Sequence, residues 1–92
     1  MNQPAVTTAP SFAARSAANA AATPHQRLYI RTLMTQLELC TRFYSKAHDR
    51  FFIAAKLVRP RYGCEIDAAL CELTRRQASE LARVLHEEVG DE

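Results

Sequence analysis

The chain has 92 residues, 48% of them hydrophobic and 24% charged, with a formal net charge of +2. A chain of this size makes one domain at most and hides only about 60–65% of its unfolded surface. Charges interrupt every apolar run well short of the roughly 20 residues a membrane span requires. The opening lacks the basic and apolar regions of a secretory signal, and three cysteines, Cys40, Cys64 and Cys71, are an odd number for a disulfide framework. The expectation is a cytoplasmic protein with reduced, partly buried thiols.

Residues 1–22 hold nine alanines and two prolines, with little bulky apolar content beyond Val6 and Phe12. Such a stretch cannot bury enough surface to offset its chain entropy, so a disordered N-terminal tail is expected, with 23–92 as a single helical domain. Thr23-Pro24-His25-Gln26 then announces a helix: the threonine hydroxyl can accept from a free backbone N–H, the glutamine can reach back, and proline suits the first helical position. Ile30, Leu33, Leu37 and Cys40 recur at three- and four-residue steps, widened by Tyr29 and Met34, and predict a first helix over 24–39. Arg27 and Arg31 lie on a neighbouring face and are expected to be solvated.

No glycine or proline interrupts Cys40–Val58. A single helix from 24 to 58 would nevertheless be about 50 Å long, so a bend is expected within 40–46, with Thr41 or Ser45 as a cap. A second helix follows over 46–58, turning Ala47, Phe51, Ala54, Ala55 and Val58 inward. Pro60 ends it, and Arg59-Pro60-Arg61-Tyr62-Gly63 reads as a turn. Asp67 is expected to cap a short helical turn near 68–71, with Cys71 packed beside Leu70 and Leu73. Thr74-Arg75-Arg76-Gln77 repeats the first capping pattern and starts a third helix over 75–89, whose inward stripe is Ala78, Leu81, Ala82, Leu85 and Val89; Gly90 is its natural stop. The fold class is therefore all-α, a small bundle of about three helices.

The modest net charge conceals a polarity. Residues 24–62 carry eight basic side chains against Glu38 and Asp49, a net of +6; residues 63–92 carry three against eight acids, a net of −5. Such an asymmetry either presents a field to a partner or is neutralised within the fold.

Thr23-x-x-Gln26-x-x-Tyr29-Ile30-x-x-Leu33, taken with Leu73-Thr74-x-x-x-Ala78-Ser79-x-Leu81, resembles a helical module found in short phage and bacterial proteins and as appendages of phage-encoded DNA-metabolism proteins. The resemblance covers about 30 of the 92 residues, all in the first and third helices. It implies a helical scaffold and a phage or mobile-element setting, and it carries no site residues. The basic, aromatic stretch 41–62 exceeds the usual connection of that module.

That stretch is the candidate site. Arg42, Lys46, Arg50, Lys56, Arg59 and Arg61 are interleaved with Phe43, Tyr44, Phe51, Phe52 and Tyr62, of which Tyr44, Phe52 and Tyr62 are the candidate contact rings. Cations can neutralise phosphates while an exposed ring stacks on a base; equally, the cations can form an ordinary solvated face over a core that takes some of the rings. Because Phe51 and Phe52 are adjacent on a helix, both cannot face the same core, and one of them is expected to be exposed or to cover another segment. Nucleic acid or a nucleoprotein is the first expected partner. An acidic protein surface, met by an inhibitor or adaptor acting on a host factor, is the alternative. A homodimer suits either. The spacing of Cys64 and Cys71 does not match a structural zinc site, and no cofactor is expected. His25, His48 and His86 have no nucleophile at a catalytic spacing and no glycine-rich phosphate loop occurs, so no enzyme is expected.

Overall fold

Both Thr-x-x-Gln boxes close, and they close side by side. In the computed structural model, which describes residues 20–90, Gln26 N–H donates to Thr23 Oγ1 at 3.0 Å and Thr23 N–H to Gln26 Oε1 at 3.0 Å. Gln77 and Thr74 repeat the exchange at 3.1 and 2.9 Å. The helices they start are α1, Pro24–Gln36, and α4, Arg75–Gly90; between them lie a 3₁₀ turn, Lys46–His48, running into α2, Asp49–Ala54, and then α3, Ile66–Cys71. The fold is all-α, with four helices and no strand among the described residues.

The two helix starts are tied by an isolated antiparallel bridge. Ala22 N–H donates to the Leu73 carbonyl at 2.9 Å, and Arg75 N–H to the Ala20 carbonyl at 2.7 Å. Gln26 adds a crosslink, its Nε2 donating to Arg75 O and Ser79 Oγ at 3.2 Å each. The domain thus begins before Thr23: Ala20–Ala22 belong to it, and Ala22 is buried. The expected tail otherwise concerns residues 1–19, outside the described residues. Since α1 and α4 start together and stay in contact as far as Tyr29 and His86, they run parallel. Near the start of α2, Arg50 reaches Glu88; just past its end, Leu57 shares a hollow with Gln77. Helix α2 therefore opposes α4 in direction.

Ile30, Leu33 and Met34 of α1, Phe51 and Phe52 of α2, Ile66 and Leu70 of α3, and Ala78, Leu81 and Leu85 of α4 form one core, joined by Tyr44 and Leu73. Arg27 and Arg31 are paired rather than free. Both reach Asp67 on α3, at 3.4 and 2.5 Å, and hold α1 to it. Asp67 is therefore not the cap of α3, whose N-cap position is Glu65. Cys71 points outward, as does Cys40, so two of the three thiols are exposed rather than packed.

The expected first and second helices both overran. Helix α1 stops at Gln36 and α2 at Ala54, each followed by a non-glycine residue in left-handed conformation, Glu38 (φ 63°) and Lys56 (φ 62°). Each stop is a complete Schellman motif. Leu39 N–H reaches Met34 O and Glu38 N–H reaches Thr35 O; Leu57 N–H reaches Phe52 O and Lys56 N–H reaches Ile53 O. Leu39 and Leu57, one residue further on, pack against the core, and that hydrophobic contact turns the chain where glycine is lacking. Val58, beyond the second stop, is 91% exposed instead of inward, and Ala47 and Ala54 also face outward.

A left-handed residue with a Cβ costs roughly 1–2 kcal/mol. Glu38→Gly and Lys56→Gly are accordingly each expected to stabilise the fold by about 0.5–1 kcal/mol after the glycine's extra unfolded entropy is subtracted. Thermal melts of the two variants check this; a fall in melting temperature for both would contradict it.

Candidate nucleic-acid interface

The stretch between α1 and α3 folds back on itself as a short non-helical pairing. Tyr44 N–H donates to Cys64 O at 2.8 Å, Gly63 N–H to Tyr44 O at 2.8 Å, and Ile66 N–H to Arg42 O at 2.9 Å, with Phe43 bridged to Glu65. Gly63 permits the turn, because its φ of 88° is open to glycine and strained for other residues. Phe43 points out, 44% exposed, while Tyr44 points in at 1%.

Tyr44 and Phe52 were expected at the surface and lie in the core. The Tyr44 ring stacks on His48 (centroids 5.2 Å apart, planes at 26°) and on Tyr62 (5.9 Å, 12°), and takes Phe52 edge-on at 5.1 Å. Both phenylalanines of the adjacent pair are buried because α2 is covered twice, by α4 and by the Tyr44 stack. Two directions about 100° apart can both be inward only on a helix flanked in this way.

A carboxylate organises the cluster. Asp49, buried at the first position of α2, accepts from Tyr44 Oη at 2.5 Å on Oδ1 and from Tyr62 Oη at 2.6 Å on Oδ2, with Arg59 Nη1 at 3.5 Å. The two hydroxyls, Tyr44 first, hold its carboxyl below the ordinary range; burial opposes them, and Arg59 adds to the lowering. In return the phenols are pushed up: Tyr44 chiefly by burial and then by its hydrogen bond to Asp49, Tyr62 chiefly by that hydrogen bond.

His48 completes the frame. Its Nδ1 accepts from Ser45 N–H at 3.0 Å, and its Nε2 lies 2.8 Å from the Cys40 carbonyl. A backbone donor at one nitrogen and a backbone acceptor at the other suit the tautomer with the proton on Nε2. Ser45-x-x-His48 thus imitates the return arm of the Thr-x-x-Gln boxes, with imidazole in place of the amide. That pattern was visible in the sequence, whereas the pairing of Asp49 with two tyrosines was not. Cys40 Sγ in turn accepts from the N–H groups of Phe43 and Arg42, which lower its pKa.

Around this frame the six basic candidates divide. Arg50 is drawn to Glu88 at 3.4 Å and lies over the Phe51 ring, and Arg59 is drawn to Asp49. Arg42, Lys46, Lys56 and Arg61 are exposed and have no acidic partner among the described residues. The acids of α4 are occupied elsewhere: Glu80 and Glu87 both pair with Arg83 on their own helix, and Glu88 with Arg50. Neutralisation within the fold therefore stops short of four cations on the 42–61 surface. Of the candidate contact rings, Tyr62 alone is exposed, at 55%; Phe43, interleaved with the same cations, joins it, with Arg42 above its ring at 5.5 Å. No helix among the described residues is long and apolar enough to cross a membrane. Comparison of the chain with known protein families, with characterised proteins and with solved structures finds no match.

Proposed function

We propose that this chain is a non-enzymatic accessory protein that binds nucleic acid, alone or within a nucleoprotein complex, in the phage or mobile-element setting that the helix-start resemblance implies. The observation that carries the reading is the set of four exposed cations without acidic partners among the described residues, Arg42, Lys46, Lys56 and Arg61, beside the outward rings of Phe43 and Tyr62. Each cation that meets a phosphate releases condensed counterions, so affinity should fall with a log–log salt slope of about −3 for three to four contacts. Fluorescence anisotropy with labelled DNA and RNA, single- and double-stranded, measures it. Arg42→Glu, Lys46→Glu and Arg61→Glu combined are expected to lower affinity at least ~10-fold and flatten the slope. Absence of binding to every oligonucleotide at about 50 mM salt overturns the reading.

Ile53 and Val58, large apolar side chains exposed on the same stretch, favour a second reading in which the surface docks on an acidic host protein. A partner retained in pull-downs after nuclease treatment would favour it; loss of all partners would favour nucleic acid.

A further inference from the structure

We propose that Tyr62 is a stacking platform for an unpaired nucleobase, so that the chain prefers single-stranded over double-stranded nucleic acid. This rests on the nucleic-acid reading above and goes on to name the form of nucleic acid bound.

The platform is rigid on three counts. One face of the ring is stacked on buried Tyr44 with the planes only 12° apart. Its hydroxyl is anchored to Asp49 at 2.6 Å. The flanking backbone is pinned by Gly63 N–H to Tyr44 O at 2.8 Å and Cys64 N–H to Arg61 O at 3.1 Å. Yet the residue remains 55% exposed and borders an open hollow of about 440 Å³, walled by Val58, Arg59, Pro60 and Arg61.

An aromatic ring already held in position loses little entropy when a second ring is laid on it. A base placed there would extend the Tyr44–Tyr62 stack outward. The Arg61 guanidinium, without an acidic partner among the described residues, stands beside it for the phosphate. Every base has a π-face, so this contact tolerates sequence, but a base inside a duplex is already stacked on both sides and cannot reach it. The charges favour this occupant over an acidic peptide only in combination with the ring: cations serve any polyanion, whereas a fixed planar shelf serves planar groups.

The test uses the full chain with a fluorescein-labelled oligothymidylate and a labelled duplex of equal length at about 50 mM salt. The single strand is expected to bind about 10-fold tighter than the duplex. Tyr62→Ala should lower single-strand affinity far more than duplex affinity and so remove most of that preference, and Tyr62→Phe, which keeps the ring, should retain most of it. As a readout free of substitution, photocrosslinking with a 4-thiothymidine-bearing single strand should place the adduct on Tyr62. Equal affinity for both forms, or an adduct elsewhere, overturns the platform while leaving the basic surface standing. Failure to bind either form overturns the nucleic-acid reading itself, and the platform with it.

Discussion

Truncating His48 to alanine is expected to cost about 3–4 kcal/mol, enough to lower the melting temperature of a domain this small by roughly 12–32 °C. The ring is fully buried, lies against Tyr44, and satisfies two backbone groups that lie outside the α-helices, Ser45 N–H and Cys40 C=O. Alanine leaves both partly buried groups without that partner, at about 1–3 kcal/mol apiece before the lost packing is counted. His48→Gln separates these effects. Its amide oxygen can accept from Ser45 N–H as Gln26 and Gln77 do in their own boxes, so about half the loss should be recovered. Thermal melts followed by circular dichroism decide the matter. An alanine variant melting within a few degrees of the parent would show that His48 does not organise the 40–48 connection.

Tyr44→Ala is expected to be equally severe, about 3–5 kcal/mol for a buried ring with three aromatic neighbours. Tyr44→Phe isolates the hydroxyl and should cost about 1–3 kcal/mol, because a buried carboxylate loses its shortest donor. The same cluster shapes the pH dependence at both ends. The Asp49 carboxyl titrates lower in the folded chain than the ordinary value near 4, so its contribution is fully present above about pH 4 and is lost as pH falls through the folded value. The Tyr44 phenol is raised, so its contribution is complete below about pH 10 and is lost as pH rises from there, when only the unfolded chain readily ionises. Urea denaturation across pH should therefore show stability falling at each extreme, with Tyr44→Phe shallower at both: Asp49 returns toward its ordinary range, and one phenol no longer titrates. An unchanged profile would contradict the assignment of Asp49 as the hub.

Much of the scaffold was legible because its signals are local. Thr23 with Gln26 and Thr74 with Gln77 need only three-residue reach, and the α4 stripe of Ala78, Leu81 and Leu85 needs only helical periodicity. The ends of α1 and α2 were not legible. The residues at the turning points are Glu38 and Lys56, and the contacts that justify their left-handed backbones come from Leu39 and Leu57 meeting a core that exists only once the chain has folded. The candidate site divides in the same way. Its cations could be read from composition along 42–61, but which are engaged depends on Glu88 and Asp49, and Glu88 is 38 positions from the Arg50 it pairs with.

The helical class, the two capped starts, the stripe of the last helix and the concentration of positive charge between them can be read from the chain alone, because each follows from neighbours within a turn or two or from simple counting. That the two starts lie together and their helices run parallel emerges only when the chain has packed. Packing also decides that Tyr44 and Phe52 are core while Phe43 and Tyr62 face out, and that Asp49 holds two phenols at once. Those outcomes depend on which elements cover one another, and burial of a side chain is a property of its covering neighbours rather than of the residue itself.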